Sequence, residues 1–145
     1  MAHGGIHEAL RVALESIGSR PITIIDLGCG DASQIANTLT GLPIRKYIGV
    51  DLSPVALDYA RTNMKGIASD VSFIESDFTV YLASDRSEAA DFIIAGFTIH
   101  HLIATEKAKL FHTAARRLCK GGALFYYDVF RRDEESREQY VDAYC

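Results

Sequence analysis

Five short apolar runs, each separated from the next by a stretch of helical character, constrain this chain more than any other feature. They are ITIIDL from Ile22, YIGVDL from Tyr47, VSFIES from Val71, FIIAGF from Phe92 and ALFYYDVF from Ala123. Rich in β-branched and aromatic residues, such runs read as strands covered on both faces. Parallel pairing is what helical connections permit, because they carry the chain back across the sheet in right-handed crossovers. The expected fold is therefore α/β: a doubly wound, mostly parallel sheet of about five strands with helices on both faces.

The connecting segments support this. Ile6, Leu10, Ala13, Leu14 and Ile17 recur at helical spacing until Gly18 and Pro21 stop the helix. A second helix is expected from about Ser33 to Thr40, closed by Gly41 and Pro43. Ser53 and Pro54 form an N-cap and first-turn proline for a third, which carries Val55, Leu57, Ala60 and Met64. A short helix falls between Phe78 and Asp91. Thr105 is expected to cap the next one, which Lys120, Gly121 and Gly122 end. The polar tail reads as helical, with Tyr140, Val141 and Tyr144 as its apolar stripe.

With 145 residues the chain forms one domain over 1–145. A hydrophobic share of 48% excludes a disordered chain. No apolar stretch approaches the roughly 18 residues of a membrane span, and no secretory signal opens the chain, so a cytoplasmic protein is expected. The net charge of −4 supplies no basic footprint, and nucleic acid is not an expected partner. Cys29, Cys119 and Cys145 form no C-x-x-C pair and are read as reduced thiols.

In such sheets the ligand sits at the carboxyl ends of the strands. After the first strand come Asp26, Leu27, Gly28, Cys29 and Gly30. Two glycines let the backbone turn tightly and approach a ligand, and the helix behind them offers free N–H groups. The third glycine of a dinucleotide fingerprint would fall at Ser33 and is absent. Asp26 would crowd a pyrophosphate but suits a ligand carrying an ammonium group; its other reading is a carboxylate bonded to the loop's own N–H groups. Asp51, about 20 residues past the glycines, stands where an acid accepts from ribose hydroxyls, with Leu52 beside it to pack on a base. Asp77 either accepts from an adenine amino group or caps the short helix that follows.

The ordered series DLGCGDAS, GVDLS, ESDF, AGFTIHHL and KGGALFYYD resembles the class I S-adenosylmethionine-dependent methyltransferases, small-molecule type, over about Ile22 to Asp128. The resemblance implies a Rossmann-like domain binding S-adenosylmethionine and yielding S-adenosylhomocysteine. Asp26, Gly28 and Gly30 would surround the methionine end, Asp51 the ribose, Leu52 the adenine face, and Asp77 with Phe78 the adenine edge. Ala95, Gly96 and Phe97 would line the pocket near the sulfonium. Ala32 replaces the third glycine of many members. The family continues past the fifth strand with a further helix and two strands, so the chain is expected to be shortened at its C-terminus. The fifth strand then forms an open edge through which copies could associate.

His100 and His101, just after the fourth strand, are the candidates for a base or hydrogen-bonding group at a methyl acceptor. No metal site is expected. Asp128, Tyr126 and Tyr127 are secondary acceptor-site candidates, Cys29 is a small filler, and His3, His7 and His112 read as surface residues. The fourth-strand end carries neither the Pro-Pro-aromatic nor the Pro-Cys motif of DNA methyltransferases. The expected function is methyl transfer from S-adenosylmethionine to a small-molecule acceptor. The alternatives are a non-catalytic module binding the same cofactor and a nicotinamide-dependent oxidoreductase, against which Asp26 and the absent third glycine speak.

Overall fold

The computed structural model describes residues 3–128. In chain order these form α1 (His3–Glu15), β1 (Ile22–Leu27), α2 (Ser33–Leu39), β2 (Ile44–Asp51), α3 (Pro54–Asn63), β3 (Asp70–Glu75), α4 (Phe78–Ala83), β4 (Ala90–Gly96), a 3₁₀ turn (Ile99–His101), α5 (Ala104–Arg117) and β5 (Leu118–Tyr127). The strands lie in the order β3-β2-β1-β4-β5 with every neighbouring pair parallel. The chain winds outward from β1 to β3, then returns to the other side of β1 for β4 and β5. Winding reverses at the β1/β4 boundary, the place where such sheets open a crevice.

The period-2 alternation of the strands divides the core into two layers. Ile22, Ile24, Tyr47, Phe92 and Ile94 face one layer with Leu10 and Leu14 of α1, Ile35 and Leu39 of α2, and Ala60 of α3. Ile25, Leu27, Ile48, Val50, Ile93 and Ala95 face the other with Tyr81 and Leu82 of α4 and Leu110 and Ala114 of α5. All six residues of β1 are buried, and the central strand is apolar except at Thr23 and Asp26.

Both ends of α5 differ from the sequence reading. The cap of α5 is Ile103 rather than Thr105: Glu106 reaches back to accept from the Ile103 N–H at 2.9 Å. Lys120, Gly121 and Gly122 do not end a helix. They lie inside β5, whose register shifts between the Leu118–Ala90 and Ala123–Phe92 pairs. That shift is a β-bulge, which absorbs extra residues in one strand without losing the ladder on either side. Among the described residues β5 pairs with β4 alone. The reading of a helical tail with Tyr140, Val141 and Tyr144, and the thiol of Cys145, lie outside the described residues.

The bulge brings two backbones together at Gly122, where an added Cβ would sit 2.7 Å from the Asp91 carbonyl oxygen and 3.0 Å from that of Cys119. Neither atom belongs to a side chain that could swing away. Gly122→Ala is therefore expected to cost about 1–3 kcal/mol of stability, measured as a lowered urea midpoint at unchanged slope.

Candidate active site

At the carboxyl end of β1 the apolar row Ile22, Ile24 continues into Asp26, on the face covered by α1 and α2. Asp26 is 5% exposed, and the Tyr47 hydroxyl donates to its Oδ2 at 2.6 Å. Tyr47 stands on β2 opposite Ile24, and the residue opposite Asp26 itself is Gly49, where an added Cβ would lie 2.8 Å from Cys29 Sγ and 2.9 Å from the Phe73 ring. Beyond Leu27 the backbone turns through Gly28 and Gly30, both left-handed at φ 68° and 54°. Gly28 has no alternative: an added Cβ would lie 1.9 Å from Thr98 Cγ2. The Gly28 and Cys29 N–H groups donate to the Val50 carbonyl at 2.7 and 3.0 Å, anchoring the loop to β2.

A cavity of about 270 Å³ opens against this loop. His7, Asp26, Gly28, Gly30, Phe97 and Tyr127 are among the residues that line it, together with the start of α2. A Cβ at Gly30 would meet nothing within 4 Å, so Gly30 leaves open space there. Phe97, left-handed at φ 53°, sets its ring edge-on to Tyr127 at 5.2 Å between centroids and donates its N–H to the Tyr127 carbonyl at 2.9 Å. A bulky residue holds this backbone region only where its surroundings enforce it, and such places cluster at ligand sites.

The other acids sit along the rim. Asp51, at the end of β2, accepts from the Gly30 N–H through Oδ2 and from the Ser53 N–H through Oδ1, both at 2.9 Å. Leu52 beside it is 67% exposed, an apolar side chain offered to solvent. Asp77 caps α4, its Oδ1 accepting from the Thr79 and Val80 N–H groups at 2.8 and 3.2 Å. Its position next to Asp51 follows from the Ser76 N–H, which donates to the Asp51 carbonyl at 3.0 Å. Phe78 opens α4 and packs on the core layer beneath that helix.

Of the residues singled out from sequence, Asp26, Gly28, Gly30, Gly96 and Phe97 share one cavity, and Asp51 is tied to it through Gly30. Leu52, Asp77 and Phe78 lie beyond it, past the ends of β2 and β3. Ala95 is 1% exposed and points into the opposite core layer, as alternation along β4 requires when Gly96 faces the cavity. His100 and His101 stand in the 3₁₀ turn with rings 4.0 Å apart, and His100 meets Asp128. Among the described residues no group of three His, Cys, Asp or Glu could hold a metal ion, and no helix is long and apolar enough to cross a membrane.

A family model described as a methyltransferase domain matches residues 24–122. The chain belongs to this family. Solved methyltransferases share its fold at low identity. The amino pentose methyltransferase of calicheamicin biosynthesis from Micromonospora echinaspora, bound to S-adenosylmethionine, is 20% identical with a TM-score of 0.66, covering 86% of this chain and 50% of that one. The N-methyltransferase NodS from Bradyrhizobium japonicum, with S-adenosyl-L-homocysteine, is 18% identical at 0.63, over 83% of this chain and 61% of that one. The plantazolicin methyltransferase BpumL is 19% identical at 0.69, over 95% and 54%. This methyltransferase domain thus spans about half the length of several solved relatives. Comparison with curated protein sequences gives no match.

Two residues at the site of the methyltransferase domain were not foreseen: His7, which lines the cavity, and Tyr47, which bonds Asp26. His7 does not stand apart on the surface: its Nδ1 lies 2.9 Å from Thr38 Oγ1, and its ring meets Tyr127 edge-on at 6.0 Å. Its spacing from Leu10 and Leu14 places it on the buried stripe of α1, a signal the sequence did contain. Tyr47 carries no motif and is found only through the β1–β2 register. Cys29 agrees with the filler reading: burial, with Asp26 and Asp51 nearby, pushes its thiol far above the ordinary range, which leaves it inert.

Burial also pushes the Asp26 carboxyl from 3.8 up to about 6; the Tyr47 hydroxyl acts against this, and the Asp51 carboxylate adds a further upward push. A carboxyl raised in this way takes up a proton on folding. Its favourable contribution is complete below about pH 4 and is lost as pH climbs through about 6. Above that, the buried charge costs on the order of 3 kcal/mol. Asp26→Asn keeps an oxygen for Tyr47 but cannot ionise. At pH 7.5 it is expected to exceed the wild type in stability by up to about that amount, with the gap closing toward pH 4, as urea unfolding across pH will show.

Proposed function

We propose that this methyltransferase domain binds S-adenosylmethionine and transfers its methyl group to a small-molecule acceptor. The observation that carries the reading is Asp26: an ionisable carboxyl kept buried beside an open cavity at a cost to stability. A ligand ammonium group placed there would offset that cost by pairing with the carboxylate. The bound cofactor supplies a methyl on a positively charged sulfur, open to in-line displacement.

The residues present fit such a ligand. Asp26, Gly28 and Gly30 would hold the amino-acid end within the cavity, where Gly30 leaves space and the start of α2 offers N–H groups to a carboxylate. Asp51 retains lone pairs for the ribose hydroxyls, Leu52 presents an apolar face to the base, and Asp77 with Phe78 stands at its edge. Gly96 and Phe97 would border the reacting carbon, and His100 with His101 would face the acceptor. Ala95, turned into the core, leaves that group. A dinucleotide is disfavoured, since its pyrophosphate would meet the Asp26 charge. The same reading takes residues 1–145 as one cytoplasmic domain, with the β5 edge available for association between copies.

Titration calorimetry with S-adenosylhomocysteine tests the cofactor. Binding is expected, and Asp51→Ala should weaken it at least tenfold, since a charge-assisted hydrogen bond is worth about 1.5–3 kcal/mol. Wild-type affinity should also fall as pH drops through about 6, where Asp26 gains its proton and loses its attraction for an ammonium group. No binding by the wild type, or equal binding by the variant, would overturn the reading.

A further inference from the structure

The ends of β4 and β5 are joined by a contact between two residues that do not line the cavity. Asp128 follows β5, and its carboxylate grips His100 at two points: Oδ2 accepts from the His100 backbone N–H at 2.8 Å, and Oδ1 meets the ring Nδ1 at 2.6 Å. The Asp128 side chain is 0% exposed, while that of His100 is 39% exposed. A buried carboxylate thus holds an imidazole that solvent and solutes can reach. A carboxylate only accepts hydrogen bonds, so Nδ1 carries a hydrogen, and in the neutral imidazole that leaves the lone pair on Nε2. The second bond, to the backbone N–H, fixes the turn and with it the ring's placement. Each of the pair follows a residue that does line the cavity: the turn of His100 comes shortly after Phe97, Asp128 directly after Tyr127, and those two rings meet edge-on.

We propose that His100 is the general base of the transfer and Asp128 its positioning residue, and that the acceptor is a small molecule whose nucleophilic atom must lose a proton, a hydroxyl or an ammonium group. This rests on the cofactor reading above. The acceptor's proton passes to Nε2. The lone pair so released forms the bond to the methyl carbon, and the carbon–sulfur bond breaks with its electron pair left on sulfur, which becomes a neutral thioether. The imidazolium formed at His100 is stabilised by the Asp128 carboxylate. An acceptor that presents a free pair without a proton, such as a tertiary amine or a thioether, needs no such clamp. His101, its ring tilted 42° to that of His100 with centroids 4.0 Å apart, lacks this two-point attachment to Asp128.

The test uses the full chain with S-adenosylhomocysteine bound. Nitrogen NMR should show the His100 ring protonated at Nδ1 with a bare Nε2, and Asp128→Asn should abolish that pattern. Methyl transfer from labelled S-adenosylmethionine is then measured against a panel of phenols, sugar hydroxyls and primary amines. His100→Ala and Asp128→Asn should each lower kcat by about 100-fold or more while leaving affinity for S-adenosylhomocysteine within about threefold. Added imidazole should restore turnover to His100→Ala and not to Asp128→Asn. The inference is overturned by a hydrogen on Nε2, by unchanged kcat, by loss of cofactor affinity in step with kcat, or by cofactor binding with no turnover of any panel member. That last outcome leaves the cofactor reading standing, whereas a wild-type chain that binds no S-adenosylhomocysteine removes both.

Discussion

A carboxylic acid at the buried end of the central strand is the constraint on which the site depends. Position 26 continues a row of isoleucines, and an apolar residue there would finish the core at no electrostatic cost. The chain instead places a group that resists ionisation until about pH 6. Two features bear on it: Tyr47 gives its hydroxyl, and the cavity opens beside it. A protein interior accepts such a group only where something offsets its desolvation. One hydrogen bond from a neutral hydroxyl is a partial answer, which is why the proposed reading places a complementary charge in the cavity.

The loop around that acid is held open by short polar links. Gly30 is tied to Asp51, and Asp31 accepts from the Ser33 N–H at 3.0 Å, while the Asn63 amide donates to the Asp31 carbonyl at 2.8 Å. These bonds come from three different segments, so the loop is braced from α2, β2 and α3 at once. Ala32, left-handed at φ 54°, is the cost of that bracing: it stands in a backbone region that glycine enters freely and alanine does not. A loop fixed before a ligand arrives loses little freedom when it binds. The double use of Asp51, bonded to the loop yet bordering the place where a ribose would lie, couples loop geometry to ligand recognition.

Much of this was legible because the informative signals are local. The strand–loop–helix grammar from Ile22 to Asp51 is written in consecutive residues, so the sheet, the glycine turn and the acids at strand ends could be read directly. Alternation also contained more than was drawn from it: Asp26 and Gly96 share a face, and Ala95 does not. What remained hidden needs contacts between distant segments. Tyr47 reaches Asp26 only through the β1–β2 register. The bulge in β5 makes Gly121 and Gly122 strand residues, although a Lys-Gly-Gly run after a helix has every local mark of a stop. His7 joins the cavity because Arg11 fastens α1 to the end of α2, donating to the Thr38 and Thr40 carbonyls at 2.8 and 3.0 Å.

The same distinction separates the two halves of the site. On the proposed reading, the cofactor side is built from β1, β2 and β3 and from turns between neighbours in sequence, and the acceptor side from β4 and β5, whose ends meet only after α5 has crossed the sheet. The bond between His100 and Asp128 is therefore a product of topology rather than of motif: each residue alone is an unremarkable polar group at a strand end. Chemistry that varies between relatives is expected on this side, since changing one residue at either strand end alters the acceptor without disturbing the grip on the donor. On the proposed reading, the buried Asp26 that meets the cofactor and the solvent-facing His100 that meets the acceptor lie on opposite sides of the β1/β4 boundary.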